Sequence, residues 1–104
     1  MIQLKPGVSL KALSPQMVMA FMIVASVFEK HNAACTCTSA NDSTHKKGSK
    51  HYVGNALDFR VRDYLGDKHA LTEEIEKALG GEFDVVLESV DTPNQHIHCE
   101  YDPA

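Results

Sequence analysis

The sequence lacks a strong basic cluster, and its formal net charge is −4 at pH 7. Proteins that bind nucleic acids obtain most of their affinity from contacts between phosphates and lysine or arginine. The densest basic stretch is Lys46-Lys47 with Lys50, in a segment whose other residues are mostly polar, which is typical of a solvated loop. The charge balance therefore argues against nucleic acid as a partner.

The sequence also lacks a hydrophobic run that could span a bilayer, which takes about 20 apolar residues. Its longest apolar stretch, residues 17–25, follows two lysines, as the core of a secretory signal would. However, no small-residue cleavage site comes directly after it, and Ser14-Pro15 is typical of a helix start. We therefore expect a buried structural helix, no membrane association, and synthesis in the cytoplasm without a clear signal peptide.

Cysteine is too scarce for a disulfide framework. Cys35, Cys37 and Cys99 are three in number and cannot all pair within the chain. We expect them to be small buried side chains in a reducing compartment. A zinc site formed by the three thiolates is the alternative.

The length of 104 residues and an ordinary globular composition predict one domain over residues 1–104, without repeats or linkers. Residues 1–13, with a turn at Pro6-Gly7, are expected to form an irregular lead-in. Helices are predicted over residues 15–31 and 68–79, with Leu71, Ile75, Ala78 and Leu79 on the inner side of the second. The first helix is apolar nearly all round, so we expect it to be central and covered on all sides.

Alternating patterns predict four strands, at residues 34–39, 55–61, 83–88 and 96–101. The last two are expected to pair as a hairpin. The predicted fold class is α+β, with a small antiparallel sheet of about four strands packed on two helices.

The last predicted strand carries two histidines on one face. Because strand side chains alternate, His96, His98 and Glu100 share a face, and the residues between them share the other. Upstream, His51 precedes Asp58 by seven residues, and Asp58 lies on the exposed face of its own strand. Imidazole and carboxylate groups in this combination can form a zinc site with two histidines and one carboxylate. Such a site leaves a fourth position open for water, as in catalytic zinc sites.

These residues carry a family resemblance. Residues 49–58 (SKHYVGNALD) resemble the SxHxxGxAxD motif of the zinc D-Ala-D-Ala carboxypeptidase and hedgehog-type superfamily of metallopeptidases. Residues 83–88 with the later HIHC are similar to the last hairpin of that superfamily. Its small phage-encoded members and endolysins resemble the chain over about residues 14–103. The resemblance implies a hedgehog/DD-peptidase-like fold and makes His51, Asp58 and His98 the zinc ligands.

The resemblance also implies roles around the metal. It places His96 in the site wall, where it could hydrogen-bond substrate or a charged intermediate. Relatives carry a carboxylate as general base either at the end of the strand before the HxH element or three residues before the last ligand. Gln95 occupies the second position and cannot take a proton from water. Glu88 is therefore the first choice as general base, and Asp91 in the following loop is the second.

Three further residues are candidates for substrate contact. Ser49 and His45 belong to the segment before the strand, and Arg60 shares a face with Asp58. Each has another interpretation: Ser49 can orient the His51 loop, His45 can be an ordinary polar loop residue, and Arg60 can orient Asp58.

Two functions stay open at this point. The first is a zinc metallopeptidase that hydrolyses a peptide bond in peptidoglycan stem peptides, as a phage endolysin or a D,D- or L,D-peptidase does. Such an enzyme would act on the cell wall. The second is a non-catalytic binding or structural module of the same fold that retains zinc, which the missing carboxylate at position 95 favours. The sequence decides neither the bond that is cut nor the oligomeric state.

Overall fold

The computed structural model describes residues 1–40 and 54–103. Within these ranges the chain forms two helices and five strands. They are, in order, β1 (Ile2–Leu4), α1 (Pro15–Lys30), β2 (Cys35–Ser39), β3 (Ala56–Arg60), α2 (Lys68–Leu79), β4 (Phe83–Glu88) and β5 (His96–Tyr101). The predicted α+β class is confirmed, and all six predicted elements are present.

The strands form one mixed sheet in the order β1-β2-β3-β5-β4. The pairs from β2 to β4 are antiparallel, as predicted, and β4 and β5 form the expected hairpin. The prediction of about four strands with an irregular lead-in is wrong for β1, which runs parallel to β2 at the sheet edge. Hydrogen bonds from Cys35 N to Met1 O and from Lys5 N to Cys37 O, both 2.9 Å, extend this pairing beyond the strand. Three residues are too few for a periodic pattern, so only the pairing reveals this strand.

Helix α1 begins where the sequence predicts. The Ser14 side chain accepts a hydrogen bond from Met17 N, and Pro15 occupies the first turn, where its missing N–H costs nothing. Its buried positions recur every three or four residues along one face: Met17, Ala20, Phe21, Val24, Val27 and Phe28.

The prediction that α1 is covered on all sides is wrong. The side opposite the core leaves Val18 47%, Met19 65% and Met22 65% exposed, because the sheet and α2 both pack on the other side. In the part of the chain that the structure describes, neither helix is long and apolar enough to cross a membrane.

Helix α2 packs on the same core through Leu71 and Ile75. The Asp67 side chain caps its N-terminus by accepting hydrogen bonds from the next turn, and Gly80 follows its C-terminus with a φ of 95°. Ala78, predicted to lie inward, is exposed, whereas Leu79 is partly buried against the core, so the inner face of the helix runs through Leu71, Ile75 and Leu79. Glu74 ties α2 to the end of α1 through bonds of 2.8 Å to Lys30 and 2.7 Å to His31. These bonds lower the pKa of the Glu74 carboxyl.

The helices cover one face of the sheet. Leu57 and Phe59 of β3 and Ile97 of β5 are fully buried there, and the Phe21 and Phe59 rings pack edge to face with centroids 5.3 Å apart. Strand alternation therefore places Asp58, and the histidines of β5, on the opposite face.

The cysteines lie in the core, on the helix side of the sheet. Cys35, Cys37 and Cys99 are buried and form no disulfide, and their burial is what the first interpretation predicts. Burial raises the pKa of Cys35 to about 12 and that of Cys99 still higher. Because metals bind the thiolate, the alternative zinc site of three cysteines is disfavoured.

Candidate metal centre

Strand register brings the candidate residues together. Strand β5 lies between β3 and β4, where His98 is paired with Asp58 on one side and His96 with Glu88 on the other. Directly opposed residues in antiparallel strands have Cβ atoms about 5 Å apart, which is within reach of these side chains. Three strands thus deliver their polar groups to one patch of the sheet face turned away from the helices.

The side chains form a row in which carboxylates and imidazoles alternate. His98 Nε2 lies 2.8 Å from Glu100 Oε1, and His98 Nδ1 lies 2.8 Å from Asp58 Oδ1. On the other side of Asp58, the same Oδ1 is 4.0 Å from His96 Nε2, which in turn is 3.0 Å from Glu88 Oε1. The row therefore runs Glu100, His98, Asp58, His96, Glu88.

The middle of this row is shielded and one end is open. The side chains of Asp58, His98 and His96 are 15%, 16% and 17% exposed, whereas that of Glu88 is 46% exposed. The three inner groups are therefore largely shielded from water, while the Glu88 carboxylate reaches solvent.

The protonation state of His98 bears directly on metal binding. Both of its ring nitrogens face carboxylate oxygens, so both hydrogen bonds can form only when both nitrogens carry protons. The hydrogen bond to Asp58, with that to Glu100, raises the pKa of His98 to about 9 against the effect of burial. A metal at this position must replace the proton between His98 and Asp58. An imidazole nitrogen and a carboxylate oxygen side by side are suitable zinc ligands.

His96 differs from His98, because only one of its two ring nitrogens faces a carboxyl group. Its Nδ1 lies 2.8 Å from the backbone carbonyl oxygen of Asn94, an acceptor, so this nitrogen carries a proton. The contact between Nε2 and the Glu88 carboxyl then requires one more proton, held by either partner. His96 and Glu88 together form a pair that can store one proton.

The donor atoms of Asp58, Glu88 and His96 lie within 4.8 Å of one another and could hold a metal ion. His98 adjoins this group through its contact with Asp58. The structure thus brings together two of the three predicted ligands, Asp58 and His98. The third, His51, lies outside the described residues, as do Ser49 and His45 among the predicted substrate contacts.

The two candidates for the general base lie in different places. Glu88 ends β4 and contacts His96, within the group just described. Asp91 is exposed in the following loop with a left-handed φ of 64°, and it is not part of that group. Gln95 is 9% exposed and directly precedes β5. Of the two candidates for the general base, Glu88 is therefore the one whose carboxylate contacts the candidate metal ligands.

The sequence places Glu100 on the face of His98, either as a support of the metal ligand or as an exposed residue, and the structure shows it in contact with His98. The Asn94 carbonyl that orients His96 left no signal in the sequence, because a backbone group has none. A second acidic group, formed by Asp84, Glu100 and Asp102, lies beside the first, and two of its members are exposed.

Comparison with models of protein families, with curated proteins and with solved structures finds no match to this chain. The superfamily resemblance of the two motifs therefore stays an expectation drawn from the residues themselves.

Proposed function

We propose that this protein is a zinc metallopeptidase that hydrolyses a peptide bond in peptidoglycan stem peptides. The main support is the 2.8 Å contact between Asp58 Oδ1 and His98 Nδ1, beside a carboxylate and a second histidine. These are two of the three ligands that the motif resemblance implies. The peptidoglycan substrate comes from that resemblance alone.

Asp58 and His98, with His51 as the third ligand, would hold the zinc. When bound by two histidines and one carboxylate, zinc supplies a Lewis acid that activates water and polarises a scissile carbonyl. Glu100 contributes by holding Nε2 of His98, so that Nδ1 is directed toward Asp58.

Glu88 is the general base in this proposal. Its carboxylate is exposed enough to meet an incoming water and lies at the edge of the ligand group. It accepts the proton of the attacking water and returns it to the amine that leaves when the peptide bond breaks. His96, 3.0 Å away, donates its Nε2–H to the Glu88 carboxylate before the reaction and keeps that carboxylate turned toward the site.

His96 has a second role in the site wall. Nδ1 stays bonded to the Asn94 carbonyl, but once Glu88 has taken the proton of the water, the Nε2–H can donate instead to the oxygen of the substrate carbonyl as negative charge develops there. A donor of this kind, positioned in advance, typically contributes about 2.7–4 kcal/mol to lowering the barrier.

The test uses purified muropeptides incubated with zinc-loaded protein, with released fragments identified by mass spectrometry. We expect cleavage by the unmodified protein and a loss of about 10²- to 10⁴-fold in rate for Glu88→Gln. The zinc content of this variant should be unchanged. Asp91→Asn, a neighbouring carboxylate changed in the same way, is the matched control and should keep its rate. If instead Asp91→Asn loses turnover and Glu88→Gln does not, the base is Asp91.

A non-catalytic zinc module of the same fold is the second candidate. It is favoured by Gln95, a buried amide where some relatives carry the catalytic carboxylate. This function predicts stoichiometric zinc that depends on His98 and no fragment released from any muropeptide. Zinc content and cleavage measured on one sample therefore separate the two functions.

A further inference from the structure

A cavity of about 540 Å³ opens at the end of the sheet where α1 leads into β2 and β3 leads toward α2. This volume falls within the usual range of small-molecule sites, roughly 300–1,000 Å³. The lining is partly aromatic and partly polar, and it includes Gln3, Phe28, Thr36, Arg60, Asp63 and Tyr64.

Arg60 is the cationic group of this cavity whose charge is not matched. Among the residues that the structure describes, none forms a hydrogen bond or an ion pair with its side chain. Asp63, the carboxylate in the cavity wall, lies 3.8 Å from Nε of Arg62 instead. Arg60 is partly buried, and a partly buried charge is costly without a partner. An anion is the chemical species that would complete this cavity.

A carboxylate is a suitable anion, because the planar guanidinium of arginine binds one through two parallel hydrogen bonds. The surrounding walls provide polar atoms from Thr36 and Gln3 on one side and the rings of Phe28 and Tyr64 on the other. The Thr36 hydroxyl donates to Gln3 Oε1 at 3.1 Å, which holds these two side chains in place. The cavity can thus accept both the charged end and the small apolar side chain of a terminal amino acid.

The cavity adjoins the candidate metal centre. Arg60 is paired with His96 across the sheet and lies two residues from Asp58 along β3. Two residues of a strand span about 7 Å, and an extended peptide likewise rises about 3.4 Å per residue, so two of its residues cover the same distance. A carboxylate held by Arg60 would therefore lie one or two residues beyond a carbonyl placed at Asp58 and His98.

We propose that this cavity binds the free carboxyl terminus of the peptide substrate through Arg60. The inference rests on the proposed function and deepens it, since it selects the bond that is cut. Cleavage occurs one or two residues from a free carboxyl end, as in a carboxypeptidase or dipeptidase, and not in the interior of a cross-linked peptide.

The test compares a synthetic stem pentapeptide that has a free carboxyl terminus with the same peptide as a C-terminal amide. We expect the unmodified protein to prefer the free acid by about 10- to 100-fold in kcat/KM, which is the effect of losing one charged hydrogen-bonded partner. Arg60→Gln should remove the preference, so that the acid and the amide are cleaved at similar rates. Arg60→Lys, which keeps the charge but not the fork of donors, should restore part of the preference. Arg62→Gln is the matched control and should leave the preference intact.

Binding measured without turnover separates this proposal from the proposed function. Chemical-shift changes in metal-free protein should show the free-acid peptide binding at least about tenfold more tightly than the amide, with the Tyr64 ring among the perturbed groups. Selective binding without cleavage would leave this site standing and reject the peptidase. Cleavage of the free acid and the amide at equal rates would support the peptidase and reject the carboxyl-terminus site. Because this comparison uses the unmodified protein, it does not depend on whether an Arg60 variant folds.

Discussion

At the residue scale, Glu100 determines which nitrogen of His98 is available to a metal. It accepts a hydrogen bond from Nε2 at 2.8 Å and is 23% exposed, so its position is well shielded from water. A proton held on Nε2 leaves the lone pair on Nδ1, the atom beside Asp58. Carboxylates in this position typically orient the metal ligand and make it more basic. Glu100 is therefore a positioning residue for the proposed zinc site.

Replacing Glu100 should weaken zinc binding without changing the fold. We expect Glu100→Ala to lower zinc affinity about 10- to 100-fold, measured by competition with a chromophoric chelator. Glu100→Gln retains an oxygen that can accept from Nε2 and should recover most of the affinity. The cobalt-substituted protein offers a second measurement, since a reoriented His98 would alter its visible spectrum. Glu76→Ala, an exposed glutamate on α2, is the control. Equal affinity for Glu100→Ala and the unmodified protein would reject this role.

The sequence was sufficient for some contacts of the site and not for others. Strand alternation alone placed His96, His98 and Asp58 on the exposed sheet face, because a period of two leaves no other choice. The contact between Glu88 and His96 depends on the β4–β5 register. That register is determined by the connecting loop, where Ser89 has a φ of 53° and further residues form successive turns. Such backbone conformations for residues other than glycine are rarely evident from a sequence.

At the scale of elements, Gly54 joins the segment before α1 to the start of β3. Its φ of 74° lies in the left-handed region, and a Cβ added there would overlap the carbonyl oxygen of Ala12. Its own carbonyl oxygen accepts a hydrogen bond from Ser14 N at 3.0 Å, next to the helix cap. The glycine of the family-like motif therefore has a structural reason of its own, independent of any metal.

The substitution Gly54→Ala should destabilise the protein by about 2–4 kcal/mol, since the strained backbone and the overlap add. The free energy of unfolding from urea titration measures this. Gly81→Ala is the matched control, because a Cβ there meets no atom within 4 Å. That change should leave stability within about 0.5 kcal/mol or raise it slightly by restricting the unfolded chain. Equal losses for the two variants would mean that the close approach to Ala12 contributes nothing.

The two features that the sequence did not predict, strand β1 and the exposed side of α1, have the same physical cause. Both helices and strands β2–β5 have enough residues for a period of 3.6 or 2 to be visible. Strand β1 has three residues, all exposed, and exists only because the outer edge of β2 offers backbone partners. The exposed side of α1, with Met19 and Met22, is likewise a property of what packs nearby and not of the helix sequence. Tertiary contacts determine both features, so the hydrophobic periodicity of the sequence cannot predict them.

At the scale of the whole molecule, His98 links stability to pH and, in the proposed function, to zinc. In the metal-free protein the hydrogen bond to Asp58, with that to Glu100, raises the pKa of His98 from its ordinary value of 6.5 to about 9. A raised pKa means that the folded state holds the proton more tightly than the unfolded chain. The contribution of this proton to the free energy of unfolding is fully present below about pH 6.5 and is lost as the pH rises toward 9. A shift of this size corresponds to about 3 kcal/mol at most.

Zinc should reverse this trend, because binding requires His98 without its shared proton. We therefore expect the melting temperature of metal-free protein to fall between pH 6.5 and 9, while the increase caused by a fixed excess of zinc grows over the same interval. Scanning calorimetry with and without zinc at several pH values measures both. His98→Gln is the control: it should flatten the metal-free profile across this interval and remove most of the increase due to zinc. A metal-free protein that gains stability from pH 6.5 to 9 would show that His98 is not held protonated between Asp58 and Glu100. An increase due to zinc that persists in His98→Gln would place the metal on other residues.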